Sequence, residues 1–463
     1  MTISIIIFVV YLIVLVGIGV ATYLRTKSYS DYNLAGRSNN KWVTAISAES
    51  SDMSGWLLMG LPGSAYLAGF SSIWILIGLV FGTLANWVFC ANRLRIASES
   101  YEAFSITEFF EKRLNDKKGT VALVSGIAII IIMTINSSAE IIGSGKLLNA
   151  TFGLDYNVGI VIGLLIMMAY TFLGGYMAVS WSNLIQGTLM FLALLFVPIA
   201  VIVKVGGLGV GICCFGVVHV LTCFMAIKKS SEIKDSTFIA TIWVSLTIFG
   251  AVVIGMIGAY TFPDIADPEQ VFYQMGSEFF PTSLLGLFAA AVMAAILSSV
   301  SAYVIVASSA FGANIYRYFA KGGADEKKVI RFQRAAVIVI SLAAFLMSLE
   351  PDLVFAVALL ATAGLGASFG PLVMFGIYTN KINKYGAVSS IVVGLVTVIV
   401  WYYSGMSNYL YEAIPGMVLS TIVLLGVSKA TGGPDESITE GFNKYIAMLK
   451  SNKEKAKAER KKA

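Results

Sequence analysis

Two stretches put oxygen-bearing side chains where an apolar chain has least reason to carry them. Residues 49–63 read ESSDMSGWLLMGLPG, with apolar sequence on either side. Ser50, Ser51, Ser54 and Gly55 are small enough to let a helix unwind, and Asp52 adds a carboxylate beside them. Residues 289–311 read AAAVMAAILSSVSAYVIVASSAF, where Ser298 and Ser299 are adjacent and Ser301 follows a turn later. Successive helical side chains diverge by about 100°, so Ser298 and Ser299 can both reach one small ion, with Ser301 near the same face. Hydroxyl, carbonyl and carboxylate oxygens are hard donors and suit a hard cation such as Na+. Plainer readings stand beside this one. Serines in membrane helices commonly bond to a carbonyl or a neighbouring helix, and the first stretch could be a kinked helix with a solvated polar end.

The composition defines what must position these groups. Of 463 residues, 57% are hydrophobic and 13% charged, and the mean hydropathy is +0.82. Soluble domains carry about 25% charged residues, so this is an integral membrane protein. Apolar runs near the roughly 20 residues that cross the hydrocarbon core fall at 4–24, 42–69, 71–92, 120–147, 155–179, 183–204, 206–227, 237–262, 282–312, 332–349, 352–378, 385–404 and 414–428. The first run lacks a basic leader and a small-residue cleavage site, so it is expected to stay.

Asp52 then lies about ten residues into its run, near mid-membrane at about 1.5 Å per residue. A carboxylate at that depth points to function. Unwound backbone is tolerated in lipid only where it lines a cavity. Secondary transporters use such breaks to hold ions and substrate.

The runs between 42 and 204 and between 206 and 378 give two sets of five. An odd number inverts the second set relative to the first. GGLGVGICCFG (206–216) opens the second set as the serine- and glycine-rich break opens the first. One transmembrane domain, 1–430, and a charged tail, 431–463, follow from this division. The end of the tail, SNKEKAKAERKKA, is expected to be solvated or frayed.

Charge sets an orientation. With the N-terminus outside, every basic residue except Lys146 and Lys204 falls inside, as the positive-inside rule requires. The net charge of +6 is therefore mostly topology and calls for no nucleic acid. Cys90, Cys213, Cys214 and Cys223 lie in or beside apolar runs and form no secreted-type framework. The single histidine, His219, has no partners at metal-ligand spacing. There is no phosphate-binding loop, no dinucleotide fingerprint and no convincing nucleophile triad. The expected protein is not an enzyme.

YNLAGRS, SAESSDMSGWLLMGLPGSAYLAG, GGYMAVSWSNLIQG, AAILSSVSAYVIVASSA and GLGASFGPLVMFG occur in that order. The chain so marked resembles the solute:sodium symporter family, and within it the bacterial sodium/proline symporters. The resemblance covers nearly everything up to about residue 430, and SDMSGWLLMGLPG is its most specific part.

It implies a LeuT-type inverted five-plus-five helix repeat with one extra helix before it and two after. It also implies Na+ as coupling ion, held by the carbonyls of Ser50, Met53 and Ala295 and the hydroxyls of Ser298 and Ser299. Asp52, Ser54, Trp56 and Gly60 match positions that handle ion and substrate, and Trp56 would stack on the substrate's ring. The plain role for Trp56 is packing against another helix. The expected partners are a small solute, proline first, the sodium ion and the bilayer of the plasma membrane.

The chain departs from the family pattern in three places. Asn183 stands where an acid is usual, and Asn136 where a tyrosine is. In the seventh run, GVGICCFGVVH puts Val210, Cys214 and Val218 at aromatic or proline positions. The connection from Val205 to Gly209 is also shorter than the family's by tens of residues. Two readings stay open: a sodium-coupled symporter, and a degenerate or truncated homologue that does not transport.

Overall fold

In lipid, a backbone N–H or C=O that finds no partner in its own segment costs several kcal/mol, so each apolar run closes its own ladder as a helix. The computed structural model describes residues 2–205, 218–281, 284–319, 325–350 and 353–462, and helices account for nearly all of them. α1 (Thr2–Tyr23) precedes the repeats. A short segment, α2 (Tyr29–Leu34), leads to the second crossing, which is broken: α3 (Lys41–Asp52) and α4 (Leu61–Ala68) are joined through a π-helical turn at Trp56–Gly60. α5 (Ile73–Ala85) passes through a second π turn, Asn86–Ala91, into α6 (Asn92–Ser100). α7 (Ile106–Arg113) follows on the basic side, then α8 (Thr120–Phe152) and α9 (Tyr156–Val205).

The second set begins in α10 (Val218–Ala226) and continues with α11 (Ile233–Thr261), α12 (Val271–Phe279) and α13 (Leu285–Ala310). A third π turn, Phe311–Tyr316, carries α13 into the single turn α14 (Arg317–Phe319). α15 (Glu326–Met347) and α16 (Val354–Tyr378) complete the set. α17 (Lys384–Tyr403) and α18 (Ala413–Ala430) are the two added helices, and α19 (Glu436–Lys462) forms the tail.

Among the described residues, ten stretches are long and apolar enough to cross a membrane. One of them, Trp56–Ser100, turns at Gly69 (φ 56°) and so crosses twice. The shorter apolar helix Tyr156–Ala169 adds to these, so the described residues are roughly consistent with the expected thirteen. Most of the seventh run, with Val210, Cys213 and Cys214, lies outside the described residues, as do the side chains of Val218 and His219.

Two expectations shift. The fifth and sixth runs divide at Gly175 (φ 58°, ψ −155°), several residues before the expected boundary. A side chain there would stand 2.7 Å from the Tyr32 ring as well as needing a left-handed backbone, so only glycine makes the reversal. The SWSN motif, 180–183, therefore sits inside the sixth crossing. The tail is helical rather than frayed and its end, where described, is mostly exposed, as expected of a solvated segment, whereas the turns ahead of it are docked: Ile438, Phe442 and Tyr445 are buried, with the Tyr445 hydroxyl donating to the Ile377 carbonyl.

α13 is the axle of the molecule. Every residue from Phe288 to Ala310 is buried, whereas α1 leaves Ile3, Ile6 and Ile13 more than half exposed, a face suited to lipid.

Candidate functional site

α3 stops at Asp52 because Met53 leaves the helical region (φ −84°, ψ 72°). The Ser54 N–H donates back to the Asp52 carbonyl at 3.0 Å, and the chain re-enters through the π turn at Trp56. π turns inside helices occur mostly as single bulges and often at functional sites. The break takes the last carbonyls of α3 out of their ladder, and each buried one needs a donor.

α13 supplies the donors. Ser298 Oγ donates to the Ser50 carbonyl at 2.7 Å and also lies 2.8 Å from the Ala295 carbonyl. Ser299 Oγ reaches the same Ser50 oxygen at 3.3 Å. All four residues are fully buried. A hydroxyl carries one proton, so Ser298 cannot serve two carbonyls at full strength. Two carbonyls and two hydroxyls from opposite halves of the protein are thus crowded together with two protons among them. A small cation entering this set would replace those hydrogen bonds while the hydroxyls turn lone pairs inward. Among the residues expected to hold Na+, Ser50, Ala295, Ser298 and Ser299 are brought together. Met53 is buried in the break itself, beside that set, and the described contacts do not draw its carbonyl into it. Ser301 turns away and donates to the Ser298 carbonyl of its own helix.

The expected substrate residues line the same turn. The Trp56 indole N–H donates to the Asp52 carbonyl at 3.0 Å. Its ring lies 6.2 Å from that of Phe355 on α16, with the planes tilted by 49°. Ser54 is fully buried. Gly60 allows the close approach of α16, since a side chain there would stand 2.9 Å from Phe355 Cβ. Trp56 and Gly60 thus fix the break against α16, and part of the Trp56 surface is used in packing.

Asn183, where an acid was the usual residue, faces this region too. Its backbone carbonyl accepts from Ser50 Oγ at 3.2 Å, and its amide points to Ser47. Glu49 serves a structural purpose: Oε1 accepts the buried Trp87 indole N–H at 2.7 Å.

One residue of the site escaped the sequence reading. Glu140 of α8 is buried, and its Oε2 accepts the Gly55 N–H at 3.0 Å. Ser54 is its second partner, and Ser54 also meets Tyr303, which reaches Ser299 as well. The signal was a lone carboxylate inside an apolar run, which is informative by itself. On the opposite side from the basic residues, Lys146 of α8 pairs with Glu269 at 2.7 Å and Asp267 at 3.4 Å. Glu269 also accepts the Val354 and Phe355 N–H groups at the start of α16.

A groove of about 730 Å³ runs past Trp42, Phe238 and Trp243 and is separate from the break. Trp42 and Phe238 are more than half exposed, so this groove belongs to the lipid-facing surface.

A mid-membrane helix break, tied by hydroxyl–carbonyl contacts to a helix of an inverted second half, defines an ion-coupled secondary transporter of LeuT-type fold. Comparison with known proteins narrows this. The model of the sodium:solute symporter family matches residues 32–212 and 207–394, two segments that meet in the stretch ahead of α10. The high-affinity proline transporter PutP of Bacillus subtilis is 36% identical, over 92% of this chain and 98% of that protein. The sodium/proline symporter of Salmonella typhimurium is 34% identical, over 96% of each. The chain belongs to the sodium:solute symporter family. Among solved structures, a Na+-coupled sialic acid symporter in a substrate-bound outward-open state superposes with a TM-score of 0.76 at 18% identity, over 94% of this chain and 99% of that one. At that identity the likeness speaks for the fold.

Proposed function

We propose that this chain imports L-proline with Na+ across the plasma membrane by alternating access, with the N-terminus outside and the tail in the cytoplasm. The observation that carries it is the convergence of the Ser298 and Ser299 hydroxyls on the Ser50 carbonyl. Na+ held there, with Met53 and Ala295 completing the shell, bridges α3 to α13. A ligand shifts a conformational equilibrium only by its differential affinity for the two states. A bridge between two helices that separate during the cycle has that property. Substrate would then bind at Asp52, Ser54, Trp56 and Gly60, along the break, and the first set of five helices would rock against the rest. The names of the relatives supply proline as the solute. Uptake of radiolabelled proline into vesicles tests this: it should require an inward Na+ gradient. Uptake indifferent to Na+ overturns the proposal.

One feature favours a second reading, a homologue that binds Na+ without transporting. Val210, Cys214 and Val218 replace the aromatic and proline positions of the seventh run. Na+ binding without any uptake would select it.

A further inference from the structure

In a broken helix, the start of the second half-helix presents N–H groups that attract an anionic substrate group. Here that place is already taken. Glu140 Oε2 accepts the Gly55 N–H at 3.0 Å, and a side chain on Gly55 would meet that oxygen at 2.9 Å. The carboxylate is 1% exposed. Among the described residues no Lys or Arg pairs with it, the ion pairs lying elsewhere. Its partners, Gly55 and Ser54, are neutral, and a buried charge without a countercharge is costly. A second observation points the same way. Asn136 is 2% exposed, and its amide NH2 has no hydrogen-bond partner. It lies four residues before Glu140, which puts both on one face of α8, about 6 Å apart along the axis.

We propose that Glu140 selects the solute by charge, binding the cationic nitrogen of a zwitterionic amino acid while Asn136 donates to an oxygen of its carboxylate. This rests on the amino-acid import reading and sharpens it. The protein places its own carboxyl group at the half-helix start, so the solute's ammonium is the group recognised there and its carboxylate is read one turn away on α8. A solute with the carboxylate masked should be tolerated. One with the nitrogen neutralised should not.

Two analogues separate these cases: L-prolinamide keeps the ammonium, and N-acetyl-L-proline keeps only the carboxylate. Thermal stabilisation of the purified full-length chain in Na+ gives the apparent affinity of each, and competition against labelled proline gives a second reading. Prolinamide should bind at least about tenfold more tightly than N-acetylproline, as expected for a buried charge contact. Glu140→Gln keeps an acceptor for Gly55 and removes the charge, so the ratio should fall towards one. Na+-dependent stabilisation, whose proposed ligands lie on α3, at Met53 just beyond it and on α13, reports whether that variant is folded. If it is not, Glu140→Asp is compared instead, and the wild-type ratio still decides. N-acetylproline binding as well as prolinamide, an unchanged ratio in Glu140→Gln, or no shift with either analogue overturns the assignment. Failure of labelled proline uptake with the analogue ratio intact refutes the import reading alone.

Discussion

Ser298 bonds to the carbonyl of a residue 248 positions away in sequence, one of the contacts that join the two halves of the molecule. Its chemistry leads to a residue-scale expectation. Ser298→Ala with Ser299→Ala removes both hydroxyls proposed as Na+ ligands in a site where every group is fully buried, so no water replaces them. Na+ affinity should fall by more than about tenfold, each 1.4 kcal/mol being about a factor of ten. Na+-dependent thermal stabilisation surviving in the double variant would remove the site from these residues. Asp52→Asn should weaken Na+ binding similarly, read by the same measurement. Ser50, Ser298 and Ser299 were legible because small polar residues at helical spacing stand out in an apolar run. Glu140 stood out as much by composition, but the hydroxyls near it on α8, Ser137 and Ser138, bond back to carbonyls of their own helix. Its meaning lies in the Gly55 N–H, a backbone donor that no side-chain pattern announces. The direction of Ser301, which bonds within its own helix, was equally hidden.

At the scale of elements, apolar length made the crossings readable, because lipid forces each run into a helix. The reversal at Gly175 was less so: hydropathy runs straight through it, and what forces the turn is the Tyr32 ring packed against a left-handed glycine. The clamp over the far end of the break was also unreadable, since it joins four separated segments. Lys146 on α8 holds Glu269, Glu269 holds the first N–H groups of α16, and Gly63 on α4 packs on the backbone of Pro268 and Glu269. Phe355, whose N–H donates one of those bonds, is the residue that faces Trp56. Glu269→Gln removes the ion pair and weakens both backbone contacts. Phe355→Cys should then be labelled several-fold faster by an impermeant thiol reagent in that background, and an equal rate would show that this cluster does not close the site. The seventh run carries its own expectation. Val210, Cys214 and Val218 are by type neither aromatic nor hydroxyl-bearing. One lost stacking contact is worth about 0.5–1.5 kcal/mol and one lost polar partner about 1 kcal/mol. Proline affinity by calorimetry should therefore be about ten- to a hundredfold weaker than in relatives with the aromatic residues, while Na+ binding persists. Equal affinity would refute the damaged pocket.

For the molecule as a whole, the number of crossings and the basic residues constrain each other. If there are thirteen crossings, as proposed, the termini lie on opposite sides, and the basic side would contain α7 and α19. That face is knit by charged groups bonded to backbone carbonyls. Arg37 reaches Ser98 and Ala103, Arg95 reaches Ile227, and Arg113 reaches Gly376 and Thr379 while lying over the Phe442 ring of the tail. Burial lowers the Arg113 pKa from its usual value, yet guanidinium still titrates far above neutrality, so this face stays positive in any working range. Such a surface suits the cytoplasmic leaflet, whose anionic lipids attract Lys and Arg. The opposite face holds Lys146 in an ion pair with Glu269, so its charge is locally matched and adds little to the inside–outside bias. Two exposed serines decide between the orientations. Ser231 lies between α10 and α11 on the basic side, and Ser277 lies on α12 on the other. Among native cysteines, Cys90 and Cys223 are buried and should contribute little background. On intact cells an impermeant maleimide should label Ser277→Cys and leave Ser231→Cys untouched until the membrane is permeabilised. Labelling of Ser231→Cys from outside would invert the assignment, and with it the direction in which a Na+ gradient could drive the solute.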